Sequence, residues 1–305
     1  MVQKKSFTRR LSLVSLCGIA SALLTHILSF FIVILGLNRT ITGFYLSLTL
    51  LSFLSVFVPA LIFSQAVGGM RKAVSDRKIK TGFFDSTLLV IFGFSGCIIT
   101  NFLIAVISML FPSMSGHSIS SNSTDAYTVI LLITSMAAAP AIFEEAAYRG
   151  FVLSALKKNG YVYSIVISSL IFGMLHQDIS TAVFAWVSSM IFAVIRIRSG
   201  RIILSVTVHF LNNALAVAGN TAVKIIGTEK YTSIYYIVLS AAAVLFAICF
   251  SVLKKRNIFF RRKKSFPHED KYMINVLSPF RKLVYTLACP AFIAFVIITL
   301  ILKYL

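Results

Sequence analysis

The stretch APAIFEEAAYRGF, residues 139–151, sets two adjacent carboxylates and a guanidinium, Glu144, Glu145 and Arg149, inside a long apolar run. Two histidines stand in similar surroundings: His176 closes IFGMLH and His209 opens HFLNN. Neighbouring residues on a helix point about 100° apart, so Glu144 and Glu145 address different surroundings. Glu145 and Arg149 are at i, i+4 with the acid N-terminal, the favoured order for an ion pair. On this reading Glu145–Arg149 is structural and Glu144 is left for chemistry. A glutamate beside a histidine can activate water as a general base. His209 and Asn213, again at i, i+4, share a face and can donate to a developing oxyanion. Phe172 and His176 share a face by the same spacing. These are the parts of an amide hydrolase. Glu144, His176 and His209 are equally a set that could hold Zn²⁺ with one position open for water. The HExxH spacing of soluble zinc proteases is absent. The residues leave metal-free and zinc-assisted hydrolysis both open.

The elements that must position these groups are membrane spans. Of the 305 residues, 58% are hydrophobic and 12% charged, where a soluble domain carries about a quarter charged. That excludes an ordinary soluble protein and predicts an all-α, polytopic helical bundle in one membrane-embedded domain, 1–305. Runs long enough to span fall at 11–37, 42–70, 87–111, 127–156, 161–176, 179–195, 202–219, 232–253 and 284–302, about nine in all. The first is too long for a signal-peptide core and lacks a cleavage site, so it reads as a retained anchor. The net charge of +20 would suggest nucleic acid in a soluble protein. Here the basic residues flank spans, and the bilayer, not nucleic acid, is the expected partner. With the N-terminus in the cytoplasm, inside segments hold 24 Lys and Arg and outside segments hold 4. The asymmetry predicts a cytoplasmic N-terminus and an outside C-terminus.

Of nine acidic residues, only Glu144 and Glu145 lie deep in a span. An ionisable group there costs a few kcal/mol, about 2.5–3.5 on insertion scales, and marks a functional site by default. Depth supports this. Counted from the cytoplasmic ends, Glu144 is roughly 21 Å in, His176 roughly 22 Å, His209 roughly 12 Å and Asn213 roughly 18 Å. Pro140 is expected to break or start the helix just before the carboxylates. His26, His117 and His268 carry no assigned role. Cys17, Cys97, Cys249 and Cys289 have no metal or redox spacing and read as buried, reduced, apolar residues. The Ser-rich segment 112–126 reads as a connector, and Asn38 and Asn122 begin glycosylation sequons that would matter only in a secretory host. The basic loop 254–283 reads as a topogenic loop able to meet anionic headgroups.

EEAAYR at 144–149, FGMLH at 172–176 and HFLNN at 209–213 match, in order, EExxxR, FxxxH and HxxxN. The chain thereby resembles the CPBP family: CAAX prenyl endopeptidases and their prokaryotic Abi, bacteriocin-processing and immunity relatives. The likeness covers about 127–219; the last span and its basic loop lie outside it. It implies an all-helical intramembrane protease in which Glu144 and His176 activate water, His209 and Asn213 serve the oxyanion, and Glu145 and Arg149 support them. Such proteins are often labelled metalloproteases, although a metal-free glutamate route is also favoured for the eukaryotic enzymes. The short loops look prokaryotic. The expected substrate is a peptide or membrane protein, acted on in a bacterial plasma membrane. Two rival classes are a non-enzymatic immunity or scaffold protein and a proton-coupled transporter. No inverted repeat supports the latter.

Overall fold

The computed structural model describes residues 2–70, 81–111, 124–259 and 277–303. Residues 112–123 of the predicted connector 112–126, with its sequon at Asn122 and His117, and most of the basic loop (260–276, with His268) lie outside the described residues.

Among the described residues every element is helical and none is a strand. Hydrocarbon offers no partner to a backbone N–H or C=O, so a chain this apolar closes its hydrogen bonds within helices. We number them α1 (Val2–Ile34), α2 (Ile41–Val67), α3 (Phe83–Leu110), α4 (Ala126–Asn159), α5 (Tyr161–Met174), α6 (Ile179–Ser199), α7 (Ile202–Ile226), α8 (Thr228–Lys255), α9 (Pro279–Leu287) and α10 (Pro290–Lys303). Large apolar side chains such as Phe30, Ile237 and Ile301 stay more than half exposed on the outer surface, where acyl chains replace water. The protein is an integral membrane helical bundle.

The expected count of nine spans is not met. Seven described helices are long and apolar enough to cross, or eight if a bent pair counts as one. The fifth apolar run yields only the 14 residues of α5, roughly 21 Å and short of a crossing. It forms one arm of a hairpin with α6, so both arms still return to the same end. The last run is broken: α9 and α10 meet at 61°. Pro290 has no N–H to continue a helix and restricts the residue before it. Pro140 does not break α4; it stands in the first turn of the α-helical segment Ala139–Glu145, the start that the sequence allowed. α4 runs through it because a π-helical segment, Ile133–Ala138, precedes the proline and absorbs the missing donor. Two further π segments occur at Phe53–Phe57 in α2 and Ala146–Val152 in α4.

Contacts between helix ends define the two ends of the bundle. At the basic end Arg10 Nη1 donates to Ala155 O at 3.0 Å, Phe7 packs on Tyr163 and Tyr285, and Arg256 pairs with Asp85. At the other end Thr42 meets Tyr127, Ser108 meets Ser180, and His26 joins α1 to Leu302 O of α10 at 3.0 Å. A core of α1, α4, α5 and α10 side chains fills the basic half: Leu11, Val14, Phe151, Leu156, Ile171 and Phe295 are fully buried. Gly173 lets α5 and α6 touch. A Cβ there would sit 2.7 Å from Ala182 O and 2.9 Å from Trp186 Cβ. All four cysteines are buried and free, as the sequence implied.

Candidate active site

α4 brings the carboxylates to the middle of the bundle, and their neighbours part at once. Glu145 is 0% exposed and Glu144 18%. Glu145 Oε1 forms an ion pair with Arg149 Nη1 at 3.0 Å, the expected i, i+4 pair. Arg149 is held further by Ser189 O at 3.4 Å and lies over the rings of Phe172 and Phe192, 4.9 and 5.1 Å from their centroids. A guanidinium out of water needs this combination of counter-charge, carbonyl and aromatic faces.

Glu145 has a second partner that the helix pattern did not reveal. His209 Nδ1 lies 3.1 Å from the same Oε1. A carboxylate accepts, so Nδ1 carries the proton and donates. The opposite nitrogen, Nε2, then faces Glu144 Oε2 at 3.8 Å. His209 thus stands between the two glutamates, and the division into a structural and a chemical carboxylate is too strict. Glu145 also fixes the orientation and tautomer of the histidine that addresses Glu144. Phe192 stacks on the His209 ring at 5.1 Å.

His176 arrives by a different route from the one expected. It lies beyond the end of α5, in a turn where its N–H bonds Gly173 O at 3.1 Å. Its ring still meets Phe172 edge-on at 4.9 Å, and Nδ1 lies 3.1 Å from Phe172 O. The carbonyl can only accept, so Nδ1 is the protonated nitrogen and Nε2 keeps its lone pair. Phe172 touches Tyr148, Arg149 and His176 together.

Asn213 donates Nδ2–H to Met136 O at 3.2 Å. That carbonyl is free for a local reason: the residue four further on is Pro140, which has no N–H to offer it. Asn213 Oδ1 accepts from Asn212 Nδ2 at 3.1 Å. Both ends of the Asn213 amide are therefore held, and one N–H remains. Asn212 was not among the residues the motifs singled out. The available signal was a second amide beside the first in a span, where each needs a partner.

Glu144, His176, His209, Asn212 and Asn213 all line one cavity of about 670 Å³, together with Tyr148, Phe172 and Phe192. Glu145 and Arg149 lie behind its wall. One stripe of α7 (His209, Asn213, Ala216, Asn220, Lys224) runs along it. Zn²⁺ binding was the open alternative. Glu144 and His209 are close, but among the described residues no three His, Cys, Asp or Glu side chains gather as a metal-holding group. The donor set Glu144, His176 and His209 does not fit a metal as arranged.

Fold and site together define an integral membrane protein with a polar, carboxylate- and histidine-bearing cavity inside a helical bundle. Residues 126–215 match the family model described as Type II CAAX prenyl endopeptidase Rce1-like. The match takes in all three motifs and somewhat under a third of the chain, and it supports placing this region among the CPBP intramembrane proteases. Neither the curated proteins nor the solved structures contain a match to the chain.

Proposed function

We propose that the protein is an intramembrane endopeptidase that cleaves a peptide bond of a peptide or membrane-protein substrate, with Glu144 as the general base. The observation carrying this is the pair of carboxylates: adjacent in sequence, one sealed against Arg149, the other facing a cavity beside His209. Water held near Glu144 and His176 Nε2 gives a proton to the base while its oxygen adds to the scissile carbonyl. The oxyanion that forms meets the free N–H of Asn213 and the His209 side. Collapse breaks the C–N bond, and the proton held by the base passes to the leaving amine. Charge balance favours this arrangement. Glu145 and Arg149 cancel, and one proton shared between Glu144 and His209 keeps the remaining pair neutral in either location, as a site deep in a membrane requires.

The 24-to-4 distribution of basic residues supports a cytoplasmic N-terminus and an outside C-terminus, and the short loops favour a bacterial plasma membrane. The α5–α6 hairpin leaves that parity unchanged.

The test is Glu144→Gln, which keeps shape and removes the base. Turnover of a peptide substrate by purified protein in detergent should fall about 10²–10⁴-fold, with the unfolding temperature unchanged. Full turnover by Glu144→Gln overturns Glu144 as the base; no turnover by the wild-type protein overturns the peptidase reading in favour of a scaffold or transporter. Chelator should leave wild-type activity intact; inhibition rescued by Zn²⁺ overturns the metal-free route.

A further inference from the structure

The cavity reaches the surface at one end of the bundle, and that position bears on what reaches Glu144. Along α7 the rise from His209 at the floor to Lys224 at the rim is roughly 22 Å, and both residues line the space. At the rim Gln177, Thr181, Asn220 and Lys224 are exposed. In the opposite direction, towards the basic end, the described residues are closely packed: Leu11, Val14, Phe151, Leu153, Leu156 and Ile195 are all 0% exposed. The rim belongs to the ends of α6 and α7 farthest from the clustered Lys and Arg, the end where Ser108 meets Ser180.

We infer that the site opens to the non-cytoplasmic face and takes an extended polypeptide segment from that side, not a cytoplasmic tail. This rests on the peptidase reading for its occupant, and on the basic-residue asymmetry for its direction. The chemistry of the passage suits a peptide backbone. Its rim presents amides and hydroxyls, Gln177, Thr181, Asn220 and Thr221, with the single charges Asp178 and Lys224. Neutral groups that both donate and accept can pair the N–H and C=O of a chain leaving water. Deeper, the walls turn apolar at Leu48, Leu132, Met136 and Val217. Two hydroxyls there, Ser55 and Ser135, already bond their own helices at 2.7 Å and ask nothing of an apolar side chain, while Ser52 and Ser188 have hydroxyls without a hydrogen-bond partner among the described residues. The substrate class is a segment with apolar side chains at the floor and a solvated chain at the rim.

Two measurements test direction and occupant separately. Asn220→Cys and Lys158→Cys are each expressed in the full chain, whose four native cysteines are buried, and treated with a membrane-impermeant maleimide. Asn220→Cys should label in intact right-side-out vesicles and Lys158→Cys only in inverted ones; the reverse pattern overturns the direction. Wild-type vesicles are then given a dextran-linked, internally quenched peptide library that cannot cross the bilayer. Right-side-out vesicles should hydrolyse it, with Glu144→Gln vesicles inert and inverted vesicles active only after detergent. Hydrolysis by sealed inverted vesicles alone overturns the proposal. No hydrolysis even in detergent overturns the peptidase reading and the peptide as occupant, while the labelling still decides the direction.

Discussion

Arg149 and Glu144 lie little more than one helical turn apart on α4, yet they belong to differently built halves of the bundle. From Arg149 towards the basic end, side chains interlock and are fully buried around Phe151, Leu153 and Leu156. From Glu144 towards the other end, the same helix borders the cavity. Glu145, on the sealed side, has its partners Arg149 and His209 fixed in place. Glu144 and Asn213 keep a lone pair or an N–H turned to open space. The difference shows how one helix carries two carboxylates at the same depth without their sharing a role: burial against Arg149 and His209 makes one a support, and an open neighbour makes the other reactive.

The largest effect should come from breaking the sealed half at its charge pair. Arg149→Ala strands Glu145 at 0% exposure, and removing one member of a buried pair costs about 3–5 kcal/mol. Yield and unfolding temperature of the purified protein should both drop, while Glu144→Gln leaves them alone. Glu145→Gln with Arg149→Met should regain part of the stability. It should not regain full activity, because Glu145 also holds His209 Nδ1 at 3.1 Å. If Arg149→Ala melts like wild type, the pair does not hold this half together.

The same truncation placed in each half sharpens the contrast. Leu153 is 0% exposed and has packed neighbours on every side, so Leu153→Ala should cost about 2–5 kcal/mol. Leu48 borders the cavity and is only partly buried. Leu48→Ala enlarges a space that already exists and should cost within about 1 kcal/mol. Unfolding of the two variants in one detergent measures the difference; equal losses would mean the cavity closes in the folded protein.

The charge at depth was legible in the sequence because it is a local property: a glutamate in an apolar run needs no neighbour to be conspicuous. The Glu145–Arg149 pair was legible for the same reason, through its i, i+4 spacing. The contact between Glu145 and His209 was not, since it joins residues 64 positions apart and depends on the rotation of α7 against α4. Hydropathy marked the fifth run as a span because Leu175 and His176 extend its apolar stretch, although the helix itself ends at Met174. The break between α9 and α10 is a matter of backbone at Pro290, which an apolar average passes over. Pro140 allowed a break or a start, and it stands in the first turn of the α-helical segment Ala139–Glu145. A proline predicts a break, but a π segment before it lets α4 continue, and the carbonyl so released is the one that anchors Asn213.

That anchoring gives the finest test. Asn213→Ala removes an oxyanion donor and should lower turnover about 10²–10³-fold. Asn212 touches the reaction only through its neighbour: its Nδ2 donates to Asn213 Oδ1 at 3.1 Å and so fixes which end of that amide faces the cavity. Without it the amide can rotate, and a fraction of molecules present oxygen where the oxyanion forms. Asn212→Ala should therefore lower kcat about tenfold, roughly 1.4 kcal/mol, with KM unchanged. Asn212→Asp should lower it further, because a carboxylate facing Oδ1 favours the flipped amide. A residue important only for folding would instead lower the unfolding temperature and leave kcat per folded molecule intact. The deciding comparison is the double variant. Residues that act as one unit are non-additive, so Asn212→Ala should cost nothing more once Asn213 is already Ala. A second tenfold loss in that background would show that Asn212 meets the substrate directly, and the chain from Pro140 through Met136 O to the amide pair would lose its last link.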